Sequence, residues 1–76
     1  MHKRSTDFTI GQTAYFVFVE FDGHGICTGP ITEICKDHVI LTDDISNLWL
    51  DFDDFGKFWF VDESKAKENL VSRLHS

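Results

Sequence analysis

Residues 13–21, Thr13-Ala14-Tyr15-Phe16-Val17-Phe18-Val19-Glu20-Phe21, decide the fold. Most positions are aromatic or β-branched, and apolar side chains stand on both parities, the pattern of a strand covered on both faces. Asp22-Gly23-His24-Gly25 follows and reads as a hairpin turn, because Asp-Gly supplies the φ > 0 positions of a tight reversal. Working outward, Ile26 to Cys35 forms a second strand interrupted at Gly29-Pro30. Proline has no N–H to give to a ladder, so a bulge or an edge segment is expected there. Lys36-Asp37 turns the chain into a third short strand, Val39-Ile40-Leu41, which Thr42-Asp43-Asp44 closes.

From Asn47 to Phe52 the alternation is clean: Leu48, Leu50 and Phe52 share one face, Trp49, Asp51 and Asp53 the other. Apolar in, acidic plus one tryptophan out, is the simplest assignment. Asp53-Asp54-Phe55-Gly56 reads as a turn and Lys57 to Val61 as a fifth strand, on which Trp59 lies opposite Phe58 and Phe60. Both faces of that strand therefore need cover. The one helical signal begins at Asp62, a good N-cap, with Glu63 in the first turn and an apolar stripe of Ala66, Leu70 and Leu74 flanked by Val71. Val61 and Ala66 stand at the positions of a hydrophobic staple.

The expected fold is mainly β: a small SH3-like five-stranded barrel or curled antiparallel sheet with one C-terminal helix covering an open edge or mouth. Residues 1–7 are read as a flexible N-terminus, 8–61 as the sheet and 62–76 as the helix packed on it, in one domain. A chain of this size buries about 60% of the surface its unfolded form exposes, so a monomeric core is marginal and a dimer or bound partner would offset that.

Of 76 residues, 42% are hydrophobic and 14% aromatic, which sets the chain apart from disordered tails. Seven Lys and Arg against 13 Asp and Glu give a net charge of −6. Residues 5–57 hold ten acids against Lys36 and Lys57, a net −8, while residues 58–76 balance three against three. Such a balance argues against a nucleic-acid backbone as the main ligand. No apolar run reaches the length of a membrane span, and Met1-His2-Lys3-Arg4-Ser5-Thr6-Asp7 lacks the hydrophobic stretch of a signal peptide. With two cysteines read as reduced thiols, a host bacterial cytosol is the expected location.

Ile10-Gly11-Gln12-Thr13 before Tyr15-Phe16-Val17, Gly29 before Ile31, and Asp53-Asp54-Phe55-Gly56-Lys57 with Phe58, Phe60 and Asp62…Ala66…Leu70 together resemble a group of short, mostly uncharacterised proteins from phages and prophages of Gram-positive bacteria. Their pattern is similar to a G-x-x-V-Y first strand, a late D-x-F-G-x-x-x-F strand and a T-x-E-E-A-x-x-x-L helix. Here Asp62 stands where that pattern has Thr, and Lys65 where a capping Glu is expected. The resemblance implies a fold and a phage setting; it brings no catalytic or ligand residues.

His24-x-x-Cys27 and Cys35-x-x-His38 contain the ligand types of a tetrahedral zinc site. On one strand, however, eight residues separate the cysteines by about 26 Å at ~3.3 Å per residue, far beyond the reach of one ion or a disulfide. No metal site and no cofactor are therefore expected. Asp51-x-Asp53-x-Phe55-Gly56 with Asp62 at the twelfth position has part of a calcium loop, but the bidentate Glu is absent and a Phe fills a ligand position. There is no nucleophile elbow and no phosphate-binding Gly-rich loop, so the chain is read as no enzyme.

The remaining constellation is Trp49 beside Asp51, Asp53, Asp54 and Phe55, with Asp43 and Asp44 in the preceding loop. An aromatic anchor among carboxylates suits capture of a basic protein surface. The competing expectation is that Trp49 packs under the helix or against Trp59 and the acids only solubilise. The leading functional expectation is an acidic phage-type binding protein that engages a basic surface of a host protein, as a nucleic-acid-mimicking inhibitor of a host defence nuclease of the anti-CRISPR or anti-restriction kind. The alternatives are a nucleic-acid-associated or transcription-linked SH3-like module using Lys3, Arg4, Lys65, Lys67 and Arg73, and a structural or assembly homodimer.

Overall fold

The computed structural model, which describes residues 5–75, contains five strands, one helix and two short 3-10 turns, Ser5–Asp7 before the first strand and Phe52–Asp54 between the fourth and fifth. The strands are β1 (Thr13–Glu20), β2 (Gly23–Ile34), β3 (His38–Thr42), β4 (Asn47–Asp51) and β5 (Trp59–Phe60), and the helix α1 is Glu63–Leu74. They make one antiparallel sheet in the order β4-β3-β2-β1-β5, curled into a half-barrel. Residues 1–4 and 76, which belong to the expected N-terminal segment and helix, lie outside the described residues.

The two-sided pattern of β1 has a direct cause. Ala14 and Phe16 join the concave core with Phe8, Ile31, Val39, Leu41, Leu50, Phe52 and Trp59. Tyr15 and Val17 face the other way, into a second cluster with Ile26, Phe60, Ala66 and Leu70 beneath α1. Trp59 and Phe60 divide between these clusters, so both faces of β5 are covered as the sequence requires. The helix lies on β1, β2 and β5. Because it does not cover β3 and β4, those strands keep the one-sided alternation: Val39, Leu41 and Leu50 are buried, while Trp49 and Asp51 point outward.

β2 is a single long strand that changes partner. Gly23 to Pro30 pairs with β1, and Ile31 to Ile34 pairs with β3. The ladder irregularity falls between Ile31 and Glu33, just beyond the expected Gly29-Pro30. Pro30 sits at the changeover, where its missing N–H disrupts neither ladder. Gly11, at φ 90°, brings the chain back so that its N–H donates to Ile31 O, and the Ile31 N–H donates to Gln12 O, each at 2.8 Å.

Three expectations are corrected. The first hairpin turns on Phe21-Asp22, with Glu20 opposite Gly23, and Gly11 and Gly56 are the sole positive-φ residues among those described; Gly23 and Gly25 therefore belong to β2 in extended backbone. The fifth strand shortens to two residues because Asp54 O accepts the N–H groups of Lys57 and Phe58, holding them in a turn. The helix stripe is occupied only through Ala66 and Leu70. Val71 and Leu74 are exposed, and the last-turn contact to the sheet is instead made by Arg73, whose Nη1 donates to Val17 O at 3.1 Å and whose guanidinium lies 5.1 Å from the Phe58 ring centre. Asp62 caps the helix as its sequence indicates, Oδ1 accepting from Ser64 N at 2.9 Å and Lys65 N at 3.4 Å. No described helix is long and apolar enough to cross a membrane.

Candidate protein-interaction face

The outer face of β3 and β4 is built from two hairpins. Asp43 caps the β3–β4 loop: Oδ1 accepts the N–H groups of Ile45 at 2.8 Å and Ser46 at 2.7 Å, and these bonds hold its carboxyl below the usual carboxylate range. That loop sets Thr42 opposite Asn47, and the register then places Ile40 opposite Trp49 and His38 opposite Asp51. Side chains directly opposite or diagonal in an antiparallel pair are within reach of one another.

The diagonal pair is His38 and Trp49. Their rings stack with centroids 3.4 Å apart and planes 10° from parallel. His38 is buried, 7% exposed, whereas Trp49 is 62% exposed, so the imidazole backs one face of an indole that otherwise looks into solvent. Both rings are fixed at their edges. His38 Nδ1 donates to Asp37 Oδ1 at 2.6 Å, and this hydrogen bond is the main reason the Asp37 carboxyl lies below its ordinary range. Trp49 Nε1 donates to Asp51 Oδ1 at 2.7 Å. The buried Trp59 reaches the same residue from inside, its Nε1 donating to Asp51 O at 2.7 Å. Asp51 thereby ties the exposed indole to the core.

Next to this platform lie a row of hydroxyl and amide contacts, Thr32 to Thr42 to Asn47, each at 2.8 Å, and the outward-facing Glu33, which pairs with Ile40. On this face Asp51 bonds the Trp49 indole, Asp37 bonds the His38 ring stacked on it, and Glu33 lies one strand further on, across Ile40, with exposed Asp53 following Asp51 on the 3-10 turn.

The other residues singled out from the sequence are dispersed. Asp43 and Asp44 stand at the hairpin tip, beyond Asn47 and so at least ~13 Å along the strand from Asp51. Asp54 is half-buried and borders a separate groove with Phe58 and Arg73. Phe55 is half-buried and packs edge-on against Trp59, ring centres 4.9 Å apart. Trp49 meets neither Trp59 nor the helix in the contacts just described. Of the sulfur and imidazole set, Cys27 and Cys35 are free thiols on or just past β2, His24 is exposed and His38 belongs to the stack; no group of three or more metal-ligating side chains occurs among the described residues. Burial, then the charge of Asp43, raises the Cys27 pKa; for Cys35 burial comes first and Glu33 second.

His38, Asp37 and Glu33 are the residues that sequence reasoning left off this face. For His38 the signal is the β3–β4 register: once Thr42 is set opposite Asn47, counting back four residues on one strand and forward four on the other brings His38 to Asp51; Asp37 precedes it, and Glu33 follows from the β2–β3 pairing with Ile40. No protein-family model, curated protein or solved structure matches this chain.

Proposed function

We propose that this chain is a non-enzymatic binding module whose β3–β4 face engages a basic surface of a partner protein. The observation that carries this reading is the exposed Trp49, stacked on His38 and hydrogen-bonded to Asp51, on a face that also carries Glu33, Asp37 and Asp53. A rigid aromatic loses little conformational entropy on binding, and carboxylates around it steer a cationic partner and exclude anionic ones. The resemblance to phage proteins and the net charge of −6 extend the reading to an inhibitor of a host nuclease that presents carboxylates where phosphates would lie. The strand order, with a 3-10 turn between β4 and β5, supports an SH3-like barrel as its scaffold.

The nucleic-acid alternative draws less support. Lys67 lies 3.7 Å from Glu63, and Arg73 is engaged with Val17 O and the Phe58 ring. The test is a binding titration against a panel of purified host nucleases, with wild type beside a Trp49→Ala/Asp51→Lys double variant, at low and high salt. Saturable binding that weakens with salt and is lost in the variant is expected. Binding indifferent to both, or retardation of DNA or RNA by the wild-type chain, overturns the reading.

A further inference from the structure

We infer that the β3–β4 face is an arginine-reading platform: Trp49 receives a partner's guanidinium on the ring face opposite His38, with Asp51 accepting its N–H groups. This rests on the protein-binding reading above and specifies its chemistry. His38 occupies one side of the indole at 3.4 Å, and no other described ring stacks on Trp49, which remains 62% exposed. Only one face is therefore open to a ligand. The Trp49 Nε1 to Asp51 Oδ1 bond sets a carboxylate at the edge of that ring. A planar cation lying on the indole directs its N–H donors sideways, toward the second oxygen of that carboxylate, and Asp37, Glu33 and Asp53 supply further negative charge around it. An ammonium group, being a compact and strongly hydrated point charge, gains from the carboxylates but matches neither the ring plane nor the sideways geometry. Charge complementarity thus selects a cation, and ring geometry selects arginine over lysine.

The experiment is an NMR titration of the full ¹⁵N-labelled chain with two blocked hexapeptides, one alternating glycine with arginine and one alternating glycine with lysine. The arginine peptide is expected to bind at least fivefold more tightly and to shift the Trp49 indole N–H signal most. In Trp49→Leu, affinity for the arginine peptide should fall at least fivefold, to the level of the lysine peptide, so that the preference vanishes. Equal affinities for the two peptides, with shifts confined to the acidic residues, overturn arginine selection and leave the basic-partner reading standing. Absence of shifts on this face with either peptide overturns both.

Discussion

His38 and Trp49 lie face to face, 3.4 Å between ring centres, on neighbouring strands, and each is fixed at its edge by a different aspartate: Asp37 for the imidazole, Asp51 for the indole. A tryptophan mainly in water would ordinarily sample several rotamers. Here the stack and the Nε1 hydrogen bond select one. A double-mutant cycle with His38→Ala and Trp49→Ala is expected to show a coupling of about 0.5–1.5 kcal/mol in chemical denaturation. Additive single effects would mean the stack contributes no stability.

The two tryptophans separate cleanly in their expected energetics. Trp59 is fully buried and donates to the Asp51 carbonyl, so Trp59→Phe leaves both a void and an unpaired acceptor and should cost about 2–4 kcal/mol. Trp49→Phe removes an exposed indole edge and its solvent-accessible hydrogen bond to Asp51, and should stay within about 1 kcal/mol of wild type. Urea denaturation of the two variants side by side checks this; equal losses would show that the Asp51 carbonyl bond has no special weight.

Much of the architecture was legible because burial pattern maps directly onto layers. Apolar residues on both parities of residues 13–21 mark the strand sandwiched between half-barrel and helix, and the alternation of residues 47–52 marks the sheet face that the helix does not reach. The helix start was legible in Asp62, whose cap is purely local chemistry. What escaped depends on contacts distant in sequence. His38 reads as a turn residue until strand register places it against Trp49, and Phe55 reads as an exposed turn aromatic until Phe8 and Trp59 close around it. The Asp-Gly pair at 22–23 is a strong hairpin signal, yet the ladder runs on to Glu20 and Gly23, which moves the reversal one residue toward the N-terminus.

Acid should weaken the β3–β4 hairpin in a defined direction. The Asp43 carboxyl is held below the ordinary aspartate range by the Ser46 and Ile45 N–H groups, and Asp37 is lowered by the His38 hydrogen bond. A depressed folded-state pKa gives stability that is complete above the unfolded value and is lost as pH falls through the folded one. The loss therefore lies below about pH 4 and leaves neutral stability untouched. Asp43→Asn keeps an acceptor oxygen for the loop and removes the titration, so its denaturation midpoint should fall less steeply than wild type between pH 4 and pH 2 (about the range set by carboxylate titration). Parallel acid limbs would rule out Asp43 as a contributor.

Glycines on β2 offer a graded test of how closely the sheet folds on itself. A Cβ at Gly29 would stand 2.7 Å from Thr42 O and 3.2 Å from Leu41 Cδ2. The oxygen is backbone held in the β3–β4 hairpin and cannot swing aside, so Gly29→Ala must displace β3 from β2 where β2 changes partner, at a cost of about 1–3 kcal/mol. At Gly25 the neighbour is the Phe18 ring, 3.1 Å away, a side chain near the hairpin end that can rotate, so Gly25→Ala should cost less. Gly23 has open space around its Cβ position and no positive φ, and alanine there should be neutral or stabilising by about 0.4–1 kcal/mol through the unfolded chain. Thermal or urea unfolding of the three variants should rank them Gly29 worst, Gly25 intermediate, Gly23 best. A Gly29→Ala variant as stable as wild type would show that β2 and β3 are not in that close contact, and the curl of the half-barrel would need a different origin.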